Sequence, residues 1–289
     1  MISAISRRLA LKRLALAGVS LPLLGYATTE PAGETKAPSA SQLGFKLGVA
    51  TVTLKSLPLE QMLQAVKRVG LEHISLFKAH SLWENSPAQW SATAGKIRAT
   101  GITPACCGVL YLKNDEKEMR RMLDYVRALG VPLFSCSPEP AALPLLERLV
   151  KEYDLQAALH NHGPEDKVWP APEGIWQAIK SRDARLGLCL DVGHTFRCGV
   201  NPAEVIWQYR SRLYDVHVKD TLADVGAKDT PVEMGRGRID LPAIFTALIK
   251  IGYSQNVWFE YEKDPDDPVP GLAESVGYIR GLLKGLSVV

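Results

Sequence analysis

The sequence has few cysteines, and they follow no pattern. Their number, five, is odd, and their spacing matches no disulfide framework. Four lie in apolar, strand-like segments and the fifth follows one, so we expect buried free thiols at Cys106, Cys107, Cys136, Cys189 and Cys198. A chain that folds in a reducing compartment needs no disulfide bonds.

Several familiar functional motifs are also missing. The sequence has no G-x-S-x-G nucleophile motif, no Cys–His pair at motif spacing and no dinucleotide fingerprint. Residues 235–238 are rich in glycine but lack the P-loop pattern. We interpret this segment as a lid turn, with Arg236 as either an exposed loop residue or a contact to an anionic or hydroxylated ligand.

The chain lacks an excess of positive charge once its N-terminal segment is set aside. The formal net charge is +3, but Arg7, Arg8, Lys12 and Arg13 precede residue 28 and no acid does. The rest of the chain has 30 of the 34 basic residues and all 31 acidic residues, which gives a net charge of −1. A nearly neutral domain has no electrostatic basis for binding nucleic acid, and we predict none.

The N-terminal residues 1–27 resemble an export signal. Residues 6–12 are similar to the twin-arginine motif S/T-R-R-x-F-L-K and lack only its phenylalanine. The apolar stretch at 14–27 is too short, and too interrupted by glycine and proline, to be a stable membrane span. Residues 28–43 have the composition of a disordered tether. The resemblance implies recognition by the twin-arginine export machinery and a periplasmic location, with an uncleaved, membrane-anchored leader as the alternative.

From residue 44 to residue 289 a short apolar segment and a helix-patterned stretch alternate. The apolar segments begin near Lys46, Glu72, Ile102, Val131, Leu155, Leu186, Leu213 and Asn256. Most are about 24–31 residues apart, the length of one βα unit. Glycines such as Gly130 and Gly252 stand where helices should end. Eight units predict a single (β/α)8 TIM barrel over residues 44–289, preceded by the short export leader.

Four polar residues end four successive apolar segments in the second half of the chain. They are His160 in LQAALHNHG, Asp191 in GLCLDVGH, His217 in YDVHVKD and Glu260 in VWFEYE. The C-terminal ends of parallel barrel strands meet at one mouth, so these side chains should converge. Burying them without a partner is costly, and a shared cation is the simplest partner. We therefore predict a divalent-metal site with these four residues as ligands.

Four segments together resemble the sugar phosphate isomerase/epimerase superfamily, the xylose isomerase-like barrels. They are DVGH (191–194), HVKD (217–220), MGRGRIDLPAIF (234–245) and WFEYE (258–262), and the resemblance covers residues 45 to about 285. It implies that Asp191, His217 and Glu260 bind metal and that His194 faces the substrate. It also implies a small carbohydrate substrate.

The sequence departs from typical ketose 3-epimerases at one position. Those enzymes carry a glutamate on the fifth strand as ligand and base, where this chain has His160. A histidine still binds metal and favours Zn, Mn or Co over Mg, but it cannot also serve as the carboxylate base. We expect one divalent ion, with Glu260 as both ligand and best base and with His162 or His194 handling a second proton or a hydroxyl group.

Further candidates come from strand ends and loops on the mouth side of the barrel. Lys78 is a candidate catalytic residue after the second strand, as an electrostatic partner for a hydroxyl, an oxyanion or an acid. His80 and Glu139 are candidate mouth residues, and Trp83 and Trp169 are candidates for stacking on a sugar or for ordinary loop packing.

The predicted function is a metal-dependent sugar isomerase or epimerase that forms the enediolate of a keto-sugar. One alternative is a lyase or hydratase on keto-glycosides with the same metal site, because elimination needs one base and one acid rather than two opposed bases. The other is a non-catalytic sugar-binding barrel with a structural metal. An apurinic endonuclease is disfavoured by the charge of the domain. The sugar, the metal and the oligomeric state stay open.

Overall fold

The computed structural model of the chain describes residues 44–286. The predicted leader at 1–27 and the predicted tether at 28–43 lie outside these described residues. Within the described part, no helix is both long enough and apolar enough to cross a membrane.

The eight predicted apolar segments all form parallel strands, each beginning within two residues of the expected position. The described residues form eleven strands, of which the short β9 and β10 pair antiparallel apart from the main sheet. In chain order they are β1 (Lys46–Ala50), β2 (His73–Leu76), β3 (Thr103–Cys107), β4 (Leu110–Leu112), β5 (Leu133–Pro138), β6 (Gln156–His160), β7 (Leu186–Asp191), β8 (Leu213–Val218), β9 (Asp220–Thr221), β10 (Pro231–Val232) and β11 (Asn256–Phe259).

The main sheet closes on itself. Its strand order is β3-β2-β1-β11-β8-β7-β6-β5-β4. Only Gly108 and Val109 separate β3 from β4, so the two ends of the sheet belong to one chain segment that pairs with β2 on one side and β5 on the other. These strands therefore fill the eight positions of a barrel, and the predicted TIM barrel is confirmed.

Helices follow the strands and cover the barrel. They are α1 (Leu59–Arg68), α2 (Pro87–Ala99), α3 (Glu116–Leu129), α4 (Leu143–Tyr153), α5 (Pro172–Ile179), α6 (Val192–Arg197), α7 (Pro202–Tyr209), α8 (Leu241–Lys250) and α9 (Pro268–Leu286). Short 3-10 turns occupy residues 51–54, 140–142 and 210–212.

The local sequence accounts for the helix ends, as α3 illustrates. Asp115 caps its N-terminus by accepting a hydrogen bond from the backbone N–H of Glu118 at 3.0 Å. Gly130 ends it with a φ of 67°, a conformation that costs glycine little. Between them Met122 and Val126 are buried on the face that packs on the barrel core.

Small side chains and one tryptophan fill the barrel interior below the mouth. The interior cluster consists of Ala50, Cys106, Leu133, Ala158, Cys189 and Trp258. The indole N–H of Trp258 donates to Asp215 Oδ1 at 2.6 Å, which gives this buried carboxylate a partner. The five cysteines are free, and only Cys198 is partly exposed. Because the interior is filled at this level, the space for chemistry lies at the C-terminal mouth.

Candidate active site

The four polar strand-end residues meet at the mouth of the barrel. His160 ends β6, Asp191 ends β7, His217 is the next-to-last residue of β8, and Glu260 directly follows β11. The strand register places Asp191 beside His217. One possible ligand atom from each of the four residues lies within 4.8 Å of all the others. We call these residues the strand-end cluster.

The strand-end cluster fits a divalent metal ion. Its members are between 0% and 9% exposed. Both ring nitrogens of His160 and Nε2 of His217 have no hydrogen-bond partner among the described residues. Unpaired buried polar atoms are costly, and a cation held by such atoms removes that cost. Two imidazoles and two carboxylates form a ligand set that divalent transition metals bind.

A lysine that the sequence analysis missed lies against the strand-end cluster. The Lys219 side chain is 3% exposed, and its Nζ donates to Glu260 Oε1 at 2.8 Å. The same ammonium lies 3.1 Å from Asp191 Oδ2 and 3.7 Å from Glu262 Oε2. Burial opposes its charge, but these carboxylates outweigh burial and hold the pKa of Lys219 well above its ordinary value. Lys219 therefore balances the charge of both carboxylates in the cluster.

The DVGH and HVKD segments pack against each other through the methylene groups of Lys219. A Cβ atom added to Gly193 would lie 2.4 Å from Lys219 Cγ and 2.6 Å from Cδ, so a larger residue would displace the lysine. The sequence held a signal for this role. In an extended chain, His217 and Lys219 project to the same side because side chains alternate with a period of two.

Asp191 is held in place from three directions. Its Oδ1 accepts the backbone N–H of His194 at 2.8 Å, which caps α6. Its backbone N–H donates to Asn161 Oδ1 at 3.0 Å, and the Thr195 hydroxyl donates to its carbonyl oxygen at 2.6 Å. These bonds leave Oδ2 facing Lys219 and, at 3.7 Å, His160 Nε2. Asn161, the middle residue of HNH, is thus a structural support of the cluster.

Both oxygens of Glu260 are engaged. Oε1 accepts from Lys219, and Oε2 pairs with Nδ1 of His217. Burial alone would raise the pKa of Glu260, but Lys219 and His217 hold that pKa well below its usual range. In turn, Glu260 raises the pKa of His217 in spite of burial. Burial, together with the charge of His217, lowers the pKa of His160 well below normal.

His162 lies at the rim of the cluster. Its ring centroid is 4.5 Å from that of His160, and its side chain is 18% exposed. Nδ1 lies 3.5 Å from Asp166 Oδ2, and Nε2 lies 3.4 Å from the hydroxyl of the exposed Tyr111. Burial lowers the pKa of His162, so the ring is neutral near pH 7. A neutral imidazole with a carboxylate behind one nitrogen can accept a proton on the other.

His194 completes the group of imidazoles. Its ring centroid lies 6.1 Å from His160 and 6.2 Å from His162. Burial lowers the pKa of His194 to about 4, although the Asp191 carboxylate opposes this shift. His194 is therefore neutral, and Nη2 of Arg197 lies 3.1 Å from its Nδ1.

Lys78 and His80, which were expected at the mouth, are not members of the strand-end cluster. Lys78 is exposed and lines a cavity of about 250 Å³ together with Trp83 and Tyr111, whose hydroxyl lies 3.4 Å from His162 Nε2. His80 is buried, with Nε2 3.2 Å from the carbonyl oxygen of Leu54 and Nδ1 3.1 Å from Thr51 Oγ1. His80 thus ties two loops together and does not contribute to the site.

The remaining candidates have structural partners or stay exposed. Trp169 is buried, and its indole N–H donates to the carbonyl oxygen of Pro138 at 2.7 Å, so it packs in the loop. Glu139 is exposed. Arg236 pairs with Glu274, with Nη2 2.8 Å from Oε2, which leaves the exposed-loop alternative for this arginine.

The glycine-rich turn at 234–238 is folded around Asp220. The Asp220 carboxylate accepts backbone N–H groups of Gly235 and Gly237 at 2.9 Å and of Ile239 at 3.2 Å. A Cβ on Gly237 would lie 2.0 Å from Asp220 Oδ1, so the glycine is required for this approach. The last residue of HVKD therefore anchors the turn beside the site.

Comparison with curated proteins finds relatives that match part of this chain. An inosose dehydratase from Clostridium beijerinckii is 26% identical over 177 residues, which is 56% of this chain and 53% of the relative. The chain spans about half the length of the curated relatives it matches.

Two solved structures illustrate the likeness in fold. The IOLI protein with a bound zinc atom aligns with a TM-score of 0.70 and 20% identity over 83% of this chain and 99% of that one. The 3-keto-D-glucoside 4-epimerase from E. coli aligns with a TM-score of 0.66 and 17% identity over 82% and 99%.

The family model described as the xylose isomerase-like TIM barrel matches residues 63–282. This range is most of the chain, and it includes the whole strand-end cluster together with Lys219, His162 and His194. The chain therefore belongs to the xylose isomerase-like TIM barrel family.

Proposed function

We propose that this protein is a divalent-metal-dependent enzyme that removes the proton beside the carbonyl group of a keto-sugar. The observation that carries the proposal is the convergence of His160, Asp191, His217 and Glu260, in which buried imidazole nitrogens without partners lie beside two carboxylates. The names of the relatives, a dehydratase of an inosose and an epimerase of a keto-glucoside, support a polyhydroxylated ketone as substrate.

We assign the four residues of the strand-end cluster as metal ligands. Two imidazoles favour Zn, Mn or Co over Mg, and a zinc atom in a structure of the same fold supports this preference. When bound, the ion supplies positive charge that polarises the carbonyl group and stabilises the enediolate left by proton removal.

We assign proton removal to His162. The sequence favoured Glu260 for this task, but both oxygens of Glu260 are engaged and its pKa is low, which supports the ligand role alone. His162 is neutral, has Asp166 behind Nδ1 and presents Nε2 at the rim beside the exposed Tyr111. This arrangement matches the requirement for a base that is within reach of the substrate and oriented by a third group.

Two outcomes of proton removal are possible, and the site favours elimination. His162 takes the proton from the carbon beside the carbonyl group. The electron pair of the C–H bond is first held in the enediolate. As the enediolate reverts to the ketone, this pair forms a C=C bond to the next carbon, and the bond from that carbon to its oxygen substituent breaks. Protonated His162 then returns the proton to the departing oxygen. One base that later acts as an acid is enough, and it replaces the two opposed bases of an epimerase.

The isomerase or epimerase predicted first from the sequence is the second candidate. It needs the proton returned to carbon, for an epimerase from the opposite face, where typical ketose 3-epimerases use the glutamate that is His160 here. A keto-sugar-binding barrel without turnover is the third. These outcomes differ in their products, so one experiment separates them.

Metal-loaded and chelator-treated full-length protein should be incubated in D2O with a panel of keto-sugars and keto-glycosides. We expect metal-dependent deuterium incorporation beside the carbonyl group, or release of the leaving group, in at least one substrate. Release indicates elimination, and an exchanged epimer indicates epimerisation. Sugar binding without exchange or release would overturn the proposal in favour of the binding barrel.

His160→Glu tests why the site favours elimination. The substitution restores the second carboxylate of the ketose epimerases, so deuterium exchange at C3 of a free ketohexose should rise above that of the unsubstituted protein. His160→Gln, which adds no base, is the matched control and should give no increase. An unsubstituted protein that already epimerises free ketohexoses rapidly would contradict this explanation.

We also propose that the protein acts in the periplasm after twin-arginine export. Replacing both Arg7 and Arg8 by lysine in a fusion of the leader to a reporter should retain the reporter in the cytoplasm, because lysine cannot reproduce the paired guanidinium groups. Replacing Arg13, which lies outside the motif, by lysine is the control and should leave export unchanged. Undiminished export of the Arg7 and Arg8 variants would contradict the proposal.

A further inference from the structure

A fully buried arginine stands behind His194. Arg197 is 2% exposed although arginine is among the residues least often buried. Its guanidinium group reaches three parts of the mouth. It forms a two-pronged ion pair with Glu165 in the loop after β6, with Nη2 2.9 Å from Oε2. It donates to the carbonyl oxygen of Ala227 in the loop between β9 and β10 at 2.9 Å, and it contacts His194 on α6.

The hydrogen bond between Arg197 and His194 can have only one direction. Nη2 of Arg197 lies 3.1 Å from His194 Nδ1. A guanidinium group has donors and no acceptor, so Nδ1 must be the acceptor and cannot carry hydrogen. In the neutral ring the single hydrogen is therefore on Nε2. The bond to the arginine thus determines which tautomer of His194 is present.

The backbone at Gly163 packs closely against this contact. A Cβ on Gly163 would lie 2.6 Å from Arg197 Nη2 and 2.9 Å from His194 Nδ1. Gly163 has a φ of +88°, so its backbone can pass this close only because it has no side chain. On the other side, the backbone N–H of His194 is bound to Asp191.

We propose that Arg197 is a positioning residue that holds His194 as a neutral hydrogen-bond donor, with Nε2–H turned toward the substrate. His194 then cannot serve as the base, and it recognises a carbonyl or hydroxyl oxygen that accepts a hydrogen bond. The recognition of a substrate oxygen rests on the proposed function. The tautomer does not, because it follows from the contact with Arg197 alone.

The tautomer can be observed without substrate by 15N NMR of the full-length protein labelled at its histidines. The chain has six histidines, and His194→Gln identifies the His194 signals by their loss. We expect hydrogen on Nε2 and an unprotonated, hydrogen-bonded Nδ1. In Arg197→Met, the Nδ1 signal should shift to that of an unbonded nitrogen, and a form with hydrogen on Nδ1 should appear. Arg197→Lys, which keeps a cationic donor, should restore part of the original signal.

Glu165→Gln is the matched control. It removes the ion pair of Arg197 but leaves the guanidinium donor, so the His194 signals should keep the original tautomer. Hydrogen on Nδ1 in the unsubstituted protein would overturn the proposal. So would an Arg197→Met protein whose His194 signals are unchanged. Since neither result depends on turnover, failure of the proposed function and failure of this inference are distinguishable.

Discussion

The His162→Gln protein should keep its metal ion and lose about 10²–10⁴-fold of its turnover of keto-sugars, the usual contribution of a positioned base. Glutamine has a similar length but no basic nitrogen. The His162 ring lies beside the strand-end cluster and is not one of its four members, so its loss removes the proton acceptor without removing a ligand. Steady-state turnover and metal content per chain, measured on the same sample, check both halves of the prediction.

Glu260→Gln is the comparison that separates base from ligand. It keeps the shape of the side chain but removes the charge that Lys219 and His217 contact. Both metal content and turnover should therefore fall in this variant. If His162→Gln retains full turnover while Glu260→Gln binds metal normally and is inactive, the base is Glu260, and our assignment of His162 is wrong.

The Lys219→Met protein should be less stable than the unsubstituted protein by about 3–5 kcal/mol when no metal is present, as expected when one partner of a buried ion pair is removed. Methionine fills the position of the lysine methylene groups over Gly193, but Asp191 loses its ammonium partner and Glu260 keeps only His217. Denaturant unfolding in the presence of a chelator measures the loss. Added Zn²⁺ or Mn²⁺ should recover part of it, because a cation bound to the folded state replaces the missing charge.

Lys96→Met provides the control for lysine removal. Lys96 pairs with Glu60 at 3.5 Å, and both side chains are about two-thirds exposed, at 65% and 67%. Such pairs contribute little, so stability should change only slightly. A Lys219→Met protein that unfolds in chelator at the same denaturant concentration as the unsubstituted protein would show that Lys219 does not balance the cluster.

The barrel was predictable because most of its strands are buried on both faces. Such strands form continuous apolar segments, and the segments beginning near Lys46 and Leu186 became β1 and β7 with no shift. The split of the third strand was not predictable. Gly108 and Val109 separate the part of this segment that pairs with β2 from the part that pairs with β5. Local sequence does not indicate where the pairing changes from one neighbour to the other.

The members of the strand-end cluster were found because strand ends share one mouth, a property of the fold that sequence spacing reveals. Lys219 and Arg197 were missed for the opposite reason. Lysine and arginine are mostly exposed, so the alternation that places Lys219 on the same side as His217 does not by itself indicate burial. The carboxylate partners of both residues had to be located in space. His80 shows the converse, since a histidine after a strand became a link between loops.

Anomalous X-ray scattering from crystals of the protein loaded with Zn²⁺ tests the central claim most directly. The account predicts one strong peak among His160, Asp191, His217 and Glu260, at ~2.0–2.2 Å from an imidazole nitrogen or carboxylate oxygen of each. Metal-saturated crystals with no peak between these four side chains, or with the peak at a different set of ligands, would contradict it.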